Sequence, residues 1–235
     1  MTRHPSKSEL ISVICCQITR TLPNYRTMIE SVLLIFDANG TWARIVRAER
    51  GLVSILFKFL LPLLLLTCAI EGYGLTHWGK HQHNSLRPRI FSPGEAAVFE
   101  AGQFATSLVL VFLGAAVLKS MGGTFHTRNT FQQAFTVVAY ALSPFFLLRL
   151  LDAFTPISPW LTWAVGIILA LAALYHGVPQ VMEPDPPQAF GLYLMTAVLM
   201  FSLTGLMGFV AAWYLQGRFT KLEALISSAG ASLPF

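Results

Sequence analysis

The sequence predicts an all-α integral membrane protein: a bundle of five transmembrane helices preceded by an interfacial amphipathic helix. Three observations predict it. Hydrophobic residues make up 54% of the 235-residue chain and charged residues only 11%, against about 25% charged in an ordinary soluble domain. Mean hydropathy is +0.60. Five apolar segments follow one another after residue 51, each near the roughly 20 residues that cross hydrocarbon as a helix.

Residues 1–27 differ from the rest and read as an N-terminal extension, disordered or a start-site artefact. The apolar stretch Leu10–Ile18 has the length of a signal-peptide core but lacks a small-x-small cleavage site. The other reading takes Met28 as the true start, and it is preferred. Residues 28–51 form a cytoplasmic interfacial segment. Asn39-Gly40 is a turn signal, and Thr41 is placed to cap the helix after it. There Trp42, Ile45 and Val46 share one face while Arg44, Arg47 and Arg50 line another. That is the pattern of a helix lying among lipid head groups.

Residues 52–216 form the membrane domain. The first helix spans about 52–75, with Pro62 inside it. The second spans about 97–118, the third about 131–151 with Pro144 inside, the fourth about 160–178, and the fifth about 190–215. The two internal prolines are expected to bend their helices. Rows of small residues mark close helix contacts: Ala97, Ala101 and Ala105; Gly166 with Ala170; Ala173 with Gly177; Gly208 with Ala212. Residues 217–235 form a C-terminal tail.

Lys and Arg set the orientation. Arg3, Lys7, Arg20, Arg26, Arg44, Arg47 and Arg50 precede the first span, and Lys119 and Arg128 fall on the same side. Lys80, Arg87, Arg89, Arg218 and Lys221 fall on the other. The bias puts the N-terminus in the cytoplasm, and it vanishes if residues 1–27 are not translated. The net charge of +5 suits anionic lipid head groups. No basic run interleaved with aromatics suggests nucleic acid.

Candidate sites follow from charge at membrane depth, which is costly and usually paired. Glu71, Glu100, Arg149 and Asp152 all fall near the outer helix ends, so an ion pair is expected from Arg149 to Glu100 or Glu71. One reading of this cluster is structural glue, and the other is a polar cavity for an ion or head group. His77, His81 and His83 lie in the outer loop without an HExxH pattern or cysteine partner, and Cys15, Cys16 and Cys68 form no ligand set. No cofactor or metal is expected. On the inner side, Gly122 and Gly123 read as a flexible turn, with Thr124 and Arg128 beside lipid phosphates. The segment after the fourth helix carries Tyr175, His176, Gly177, Glu183 and Asp185. Gly177 is placed to end that helix, and four prolines make the loop stiff and non-helical. These residues, with Arg44, Arg47 and Arg50, are the candidate contacts for lipid or a cytoplasmic protein.

Four stretches in this order carry a resemblance: LLIFDANGTWARIVRAERG, LLPLLLL, MGGTFHTRNTFQQAFTVVAYALSP and LYHGVPQVMEPDPPQAFGLYL. The most specific pieces are Gly122 to Phe125, Tyr140 to Pro144, and Tyr175 to Gly177 with Ala189. Over roughly residues 28–215 the chain resembles the Yip family of Ypt/Rab-GTPase-interacting proteins, its bacterial members above all. The resemblance implies a five-pass protein, here of the bacterial inner membrane, with a cytoplasmic N-terminus. Eukaryotic relatives act in vesicle traffic and bind Rab-type GTPases. That role is not carried over, because their long cytoplasmic region is short here. The family has no known catalytic residues, so none is assigned. The function expected is a non-enzymatic membrane-organising or trafficking-type adaptor. The alternative is a transporter or channel for an ion, lipid or small molecule that uses the outer polar cluster. Partners and oligomeric state are not readable from the residues.

Overall fold

The structure, a computed structural model, describes residues 23–81, 88–124, 130–154, 156–215 and positions 224, 225 and 228. The expectations for residues 1–22 and for nearly all of the tail lie outside them. Five helices are long and apolar enough to cross a membrane: Leu52–His77, Pro93–Gly123, Phe131–Ala153, Pro159–Met182 and Pro187–Leu215. The fold class is the predicted one.

Helix α1 (Pro23–Phe36) precedes the spans and straddles the boundary drawn at residue 27. Asp37 ends it and opens α2 (Ala38–Arg47): the Asp37 carboxylate accepts the Gly40 N–H at 3.0 Å. The cap is therefore Asp37 and not Thr41, and Asn39-Gly40 lies inside the first helical turn. Glycine serves there because a Cβ at position 40 would run into the Asp37 carboxylate.

The first span, α3 (Leu52–His77), widens into a π-turn over Leu56–Leu60 immediately before Pro62. Pro62 has no N–H to give the carbonyl four residues back, and a wider turn is one way a helix absorbs that break. A short antiparallel bridge, β1 (Lys80–His81) with β2 (Pro88–Arg89), follows. Gly79 enters it at φ +66, where a Cβ would strike the Arg89 carbonyl. Helix α4 (Pro93–Thr124) is longer than predicted at both ends. At its start, Ser92 and Glu95 exchange hydrogen bonds at 3.1 and 3.2 Å as a capping box. At its end, Gly122 and Gly123 are helical, correcting the expected flexible turn.

The third span is α5 (Phe131–Ala141), a break at Leu142, α6 (Ser143–Leu148) and a 3₁₀ turn Arg149–Ala153. Thr130 and Gln133 cap α5 reciprocally. Of its most apolar stretch 72% is buried, against 28–44% for the other spans, so this span is the centre of the bundle. Helix α7 (Pro159–Met182) carries Pro179 inside it. It ends at Glu183 in the left-handed conformation, φ 43 and ψ 51, and α8 (Pro186–Leu215) starts on two prolines. The expected non-helical proline loop is thus only the turn at Glu183–Asp185. Proline needs no N–H partner at a helix start, so Pro186 and Pro187 launch α8 rather than interrupt it.

Helix α4 packs on α3, α5 and α8, while α7 packs on α5, α6, α8 and α2. The core holds Phe59, Phe135, Tyr140 and Phe146 among many leucines. The glycines expected at close helix contacts instead receive side chains: Gly166 meets Phe145, Gly208 meets Trp163, and Gly114, not singled out beforehand, meets Met200. Ala97, Ala101 and Ala105 are exposed, so that row is not an interface between helices of this chain.

Candidate functional site

Two polar clusters are built into the bundle, one at each end. The first sits where α1 and α2 meet the spans. Trp42 is fully buried, and its indole Nε1 donates to the Ala173 carbonyl of α7 at 2.9 Å. Its ring occupies the notch left by Gly177, where a Cβ would overlap it. Gly177 therefore lies inside α7 and does not end it. Ile45 is buried with Trp42, so the apolar face of α2 rests on protein. The amphipathic pattern alone does not distinguish that from lipid.

Beside Trp42, the Tyr140 ring stacks on Phe59 at 4.2 Å and meets Trp42 edge-on at 6.3 Å. The Tyr140 hydroxyl accepts from Arg50 Nη1 at 2.6 Å. The Arg50 guanidinium also grips Glu30 of α1 through both oxygens, at 2.5 and 2.7 Å. The bond to Glu30 is the main reason the Arg50 pKa is raised further above its ordinary value, against the opposing effect of burial. A fork-to-fork pair of this kind is both strong and directional. It fastens α1 to the start of α3, and Gln132 of α5 donates to the Arg50 carbonyl at 3.1 Å. Arg50 was singled out for lipid; the structure pairs it within the protein. Glu30 and Tyr140 as its partners were not anticipated, since nothing in the local pattern signals an arginine bonded across 90 residues.

Outside this hub, α2, the start of α5 and the end of α7 enclose a polar groove of about 480 Å³ lined by Val46, Glu49, Thr130, Gln132, Gln180 and Glu183. Arg44 donates to Thr41 at 2.9 Å, and Arg47 is exposed. Tyr175 is exposed, with its ring against His176 and Tyr193. His176 lines a separate cleft with Phe36 and Asn39, and Asp185 is exposed in the α7–α8 turn. Gly122 is buried and Gly123 exposed in the last turn of α4. Of Thr124 only the backbone is described, and Arg128 lies outside the described residues.

The second cluster lies at the other end. Arg149 Nη2 pairs with Glu71 at 2.6 Å, and Nη1 donates to Ser107 at 3.3 Å. Of the two partners expected for Arg149, Glu71 is the one bonded. Glu100 lies against Gly72 of α3, with both carboxylate oxygens buried and the Cys68 thiol beside them. Asp152 accepts from the Thr162 hydroxyl at 2.5 Å. Lys80 is buried and donates to the Phe154 and Ile157 carbonyls at 3.0 and 3.4 Å. Burial holds its pKa below the usual lysine value, although Asp152 and Glu71 nearby pull the other way. Glu71, Arg149 and Asp152 border a cavity that leaves about 40 Å³ to the centre of a water-sized sphere, room for a few waters. His77 stacks on Tyr73 at 3.9 Å, and His83 lies outside the described residues. Among the described residues no three His, Cys, Asp or Glu side chains gather as they would around a metal ion.

The family model for the Yip1 domain matches residues 32–209, most of the chain. The chain belongs to the Yip1 family. Comparison with curated proteins gives no match, nor does comparison with solved structures. The stretches that carried the resemblance are far apart in the sequence but adjoin in the Yip1 domain. Trp42 comes from the first, Tyr140 from the third and Gly177 from the fourth, and all meet in the hub. Glu30 lies just ahead of the matched region, on a helix whose last turn lies inside it, and its ion pair ties the start of that helix to the Yip1 domain. With five spans and this family, the chain is a multi-pass integral membrane protein.

Proposed function

We propose that this Yip1-family protein is a non-enzymatic membrane adaptor that recruits a protein partner at its α1–α2 end. That end faces the cytoplasm of a bacterium, and the bundle sits in the inner membrane. One observation carries the reading. Three segments far apart in sequence, α2, the start of α5 and the end of α7, converge on one open polar groove, held in place by the Trp42–Gly177 lock and the Arg50 pair. Polar groups on a rigid scaffold at an otherwise apolar protein's surface are the usual makings of a binding site. A photo-crosslinking side chain at Gln180 or Val46 is expected to trap one protein of defined mass in cells. Alanine at Glu49 and Gln132 is expected to abolish that adduct. Equal adducts from Ile168, an exposed apolar position within a span, would refute the adaptor, as would none at all.

A second reading, transport of an ion or small solute, is supported by Glu100. A buried acidic group inside a span, not held in an ion pair, is a mark of a pathway, and the π-turn in α3 and the break at Leu142 are irregularities of the kind transporters use. Glu100→Gln that folds normally but loses a solute flux into vesicles would favour transport over the adaptor.

A further inference from the structure

We infer that the groove between α4 and α8 holds one acyl chain of a bilayer phospholipid, with the ester end of the lipid at Gln103. The groove is about 420 Å³, walled by Gly102, Val109 and Leu113 of α4 and by Leu206 and Val210 of α8. It lies along two membrane spans, where water is excluded and an unfilled groove that large would forfeit packing along both walls. From Phe99 to Leu113 it runs 14 residues of helix, about 21 Å at a rise of 1.5 Å per residue. One leaflet of hydrocarbon is about 15 Å deep, so a chain entering at the Phe99 end reaches past the mid-plane.

The walls have one polar feature. Thr106 turns its hydroxyl back to the Gly102 carbonyl at 2.8 Å, which leaves its methyl for the groove. Gln103 lines both the groove and the small cavity that Glu71, Arg149 and Asp152 border, and Met207 is likewise shared. The amide sits near the Phe99 end, where Phe99, its ring stacked on Tyr214 at 4.9 Å, lines the mouth of the groove. An apolar slot with an amide at one end and charged side chains beyond it matches an amphiphile whose chain is long and whose polar end is compact.

The test reconstitutes the full chain in vesicles of phosphatidylethanolamine and phosphatidylglycerol, extracts it in mild detergent and weighs it by native mass spectrometry. Gly102→Phe fills the slot, and because a Cβ at Gly102 meets nothing within 4 Å the variant keeps the fold. Leu206→Phe blocks it from the other wall. The wild type is expected to retain one phospholipid per chain, and both variants to lose it with unchanged circular dichroism. A phospholipid with a diazirine in its acyl chain is expected to label peptides around Val109 and Leu206 in the wild type alone. A wild type with no retained lipid, or variants that retain as much, would overturn the assignment. So would a disulfide-linked dimer formed in the membrane by Val109→Cys, which would give the groove to a second copy.

Discussion

Gly177 is a position whose missing side chain is replaced by the ring of another residue. Any substituent there must displace Trp42, and overpacking a formed core costs about 1–3 kcal/mol. Gly177→Ala is expected to lower the unfolding midpoint in detergent, and Trp42→Ala to cost more, about 3–5 kcal/mol as for other buried aromatics. Trp42→Phe keeps most of the ring and loses the bond to Ala173, so an intermediate loss is expected. Arg149 and Glu71 call for a different comparison. Removing one member of a buried pair strands the other, at about 3–5 kcal/mol, so Glu71→Gln and Arg149→Met should each be severe. The exchange Glu71→Arg with Arg149→Glu should recover part of the loss, and no recovery would mean the pair is not what those residues supply. Lys80 makes stability depend on pH. Its folded pKa lies below its unfolded value of about 10.4. The folded state therefore binds fewer protons, and the penalty of holding Lys80 charged is relieved as pH rises toward that value. Wild type is expected to gain stability relative to Lys80→Met between neutral pH and about pH 10; a constant difference would refute it.

Helices differ in how much of themselves they announce. The five spans were legible because lipid demands long apolar runs, and no soluble segment imitates them. Their ends were less legible. The capping box at Ser92 and Glu95 lies outside the apolar window that defines α4, and Gly122-Gly123 reads as a breaker unless the helix is already known to continue. Helix α1 was not expected at all. At 14 residues, with Asn24, Arg26 and Glu30 in it, it is too short to cross a membrane and too polar to resemble a piece of one. One of its partners, α6, lies more than a hundred residues away. Glu183 is where an element-level change helps. A non-glycine residue in the left-handed region costs about 1–2 kcal/mol, and asparagine tolerates it better than most. Glu183→Asn is therefore expected to raise the unfolding midpoint slightly, and a lowered midpoint would show that the Glu183 carboxylate contributes there.

At the scale of the whole molecule, an odd number of spans puts the segment before α3 and the end of α8 on opposite faces. A membrane-impermeant thiol reagent is expected to reach Glu49→Cys and Asp185→Cys only from the cytoplasm and Ser92→Cys only from outside. The reverse pattern would invert the orientation inferred from Lys and Arg. The candidate site was legible in part. Membrane-depth charges picked out Glu71, Arg149 and Asp152, which border one cavity. The pattern could not choose between Glu71 and Glu100 as partner of Arg149, because that depends on how each helix is rotated about its axis, which hydropathy does not fix. It also sent Trp42 and Arg50 toward lipid, because a helix buried against its own protein and one lying on a membrane carry the same stripe.

The Trp42 lock joins residues 131 positions apart, and its notch is made on the ribosome long after the key. When α2 emerges, α7 has not been synthesised, and Trp42 has nowhere to go. A segment made early therefore settles only after the fourth span has been made. Until Gly177 has entered the membrane, α2 lacks the seat for Trp42, and its apolar face stays open to chaperones, proteases and the lipid surface. Quality control acting on the nascent chain would sense at α2 whether the fourth span has inserted.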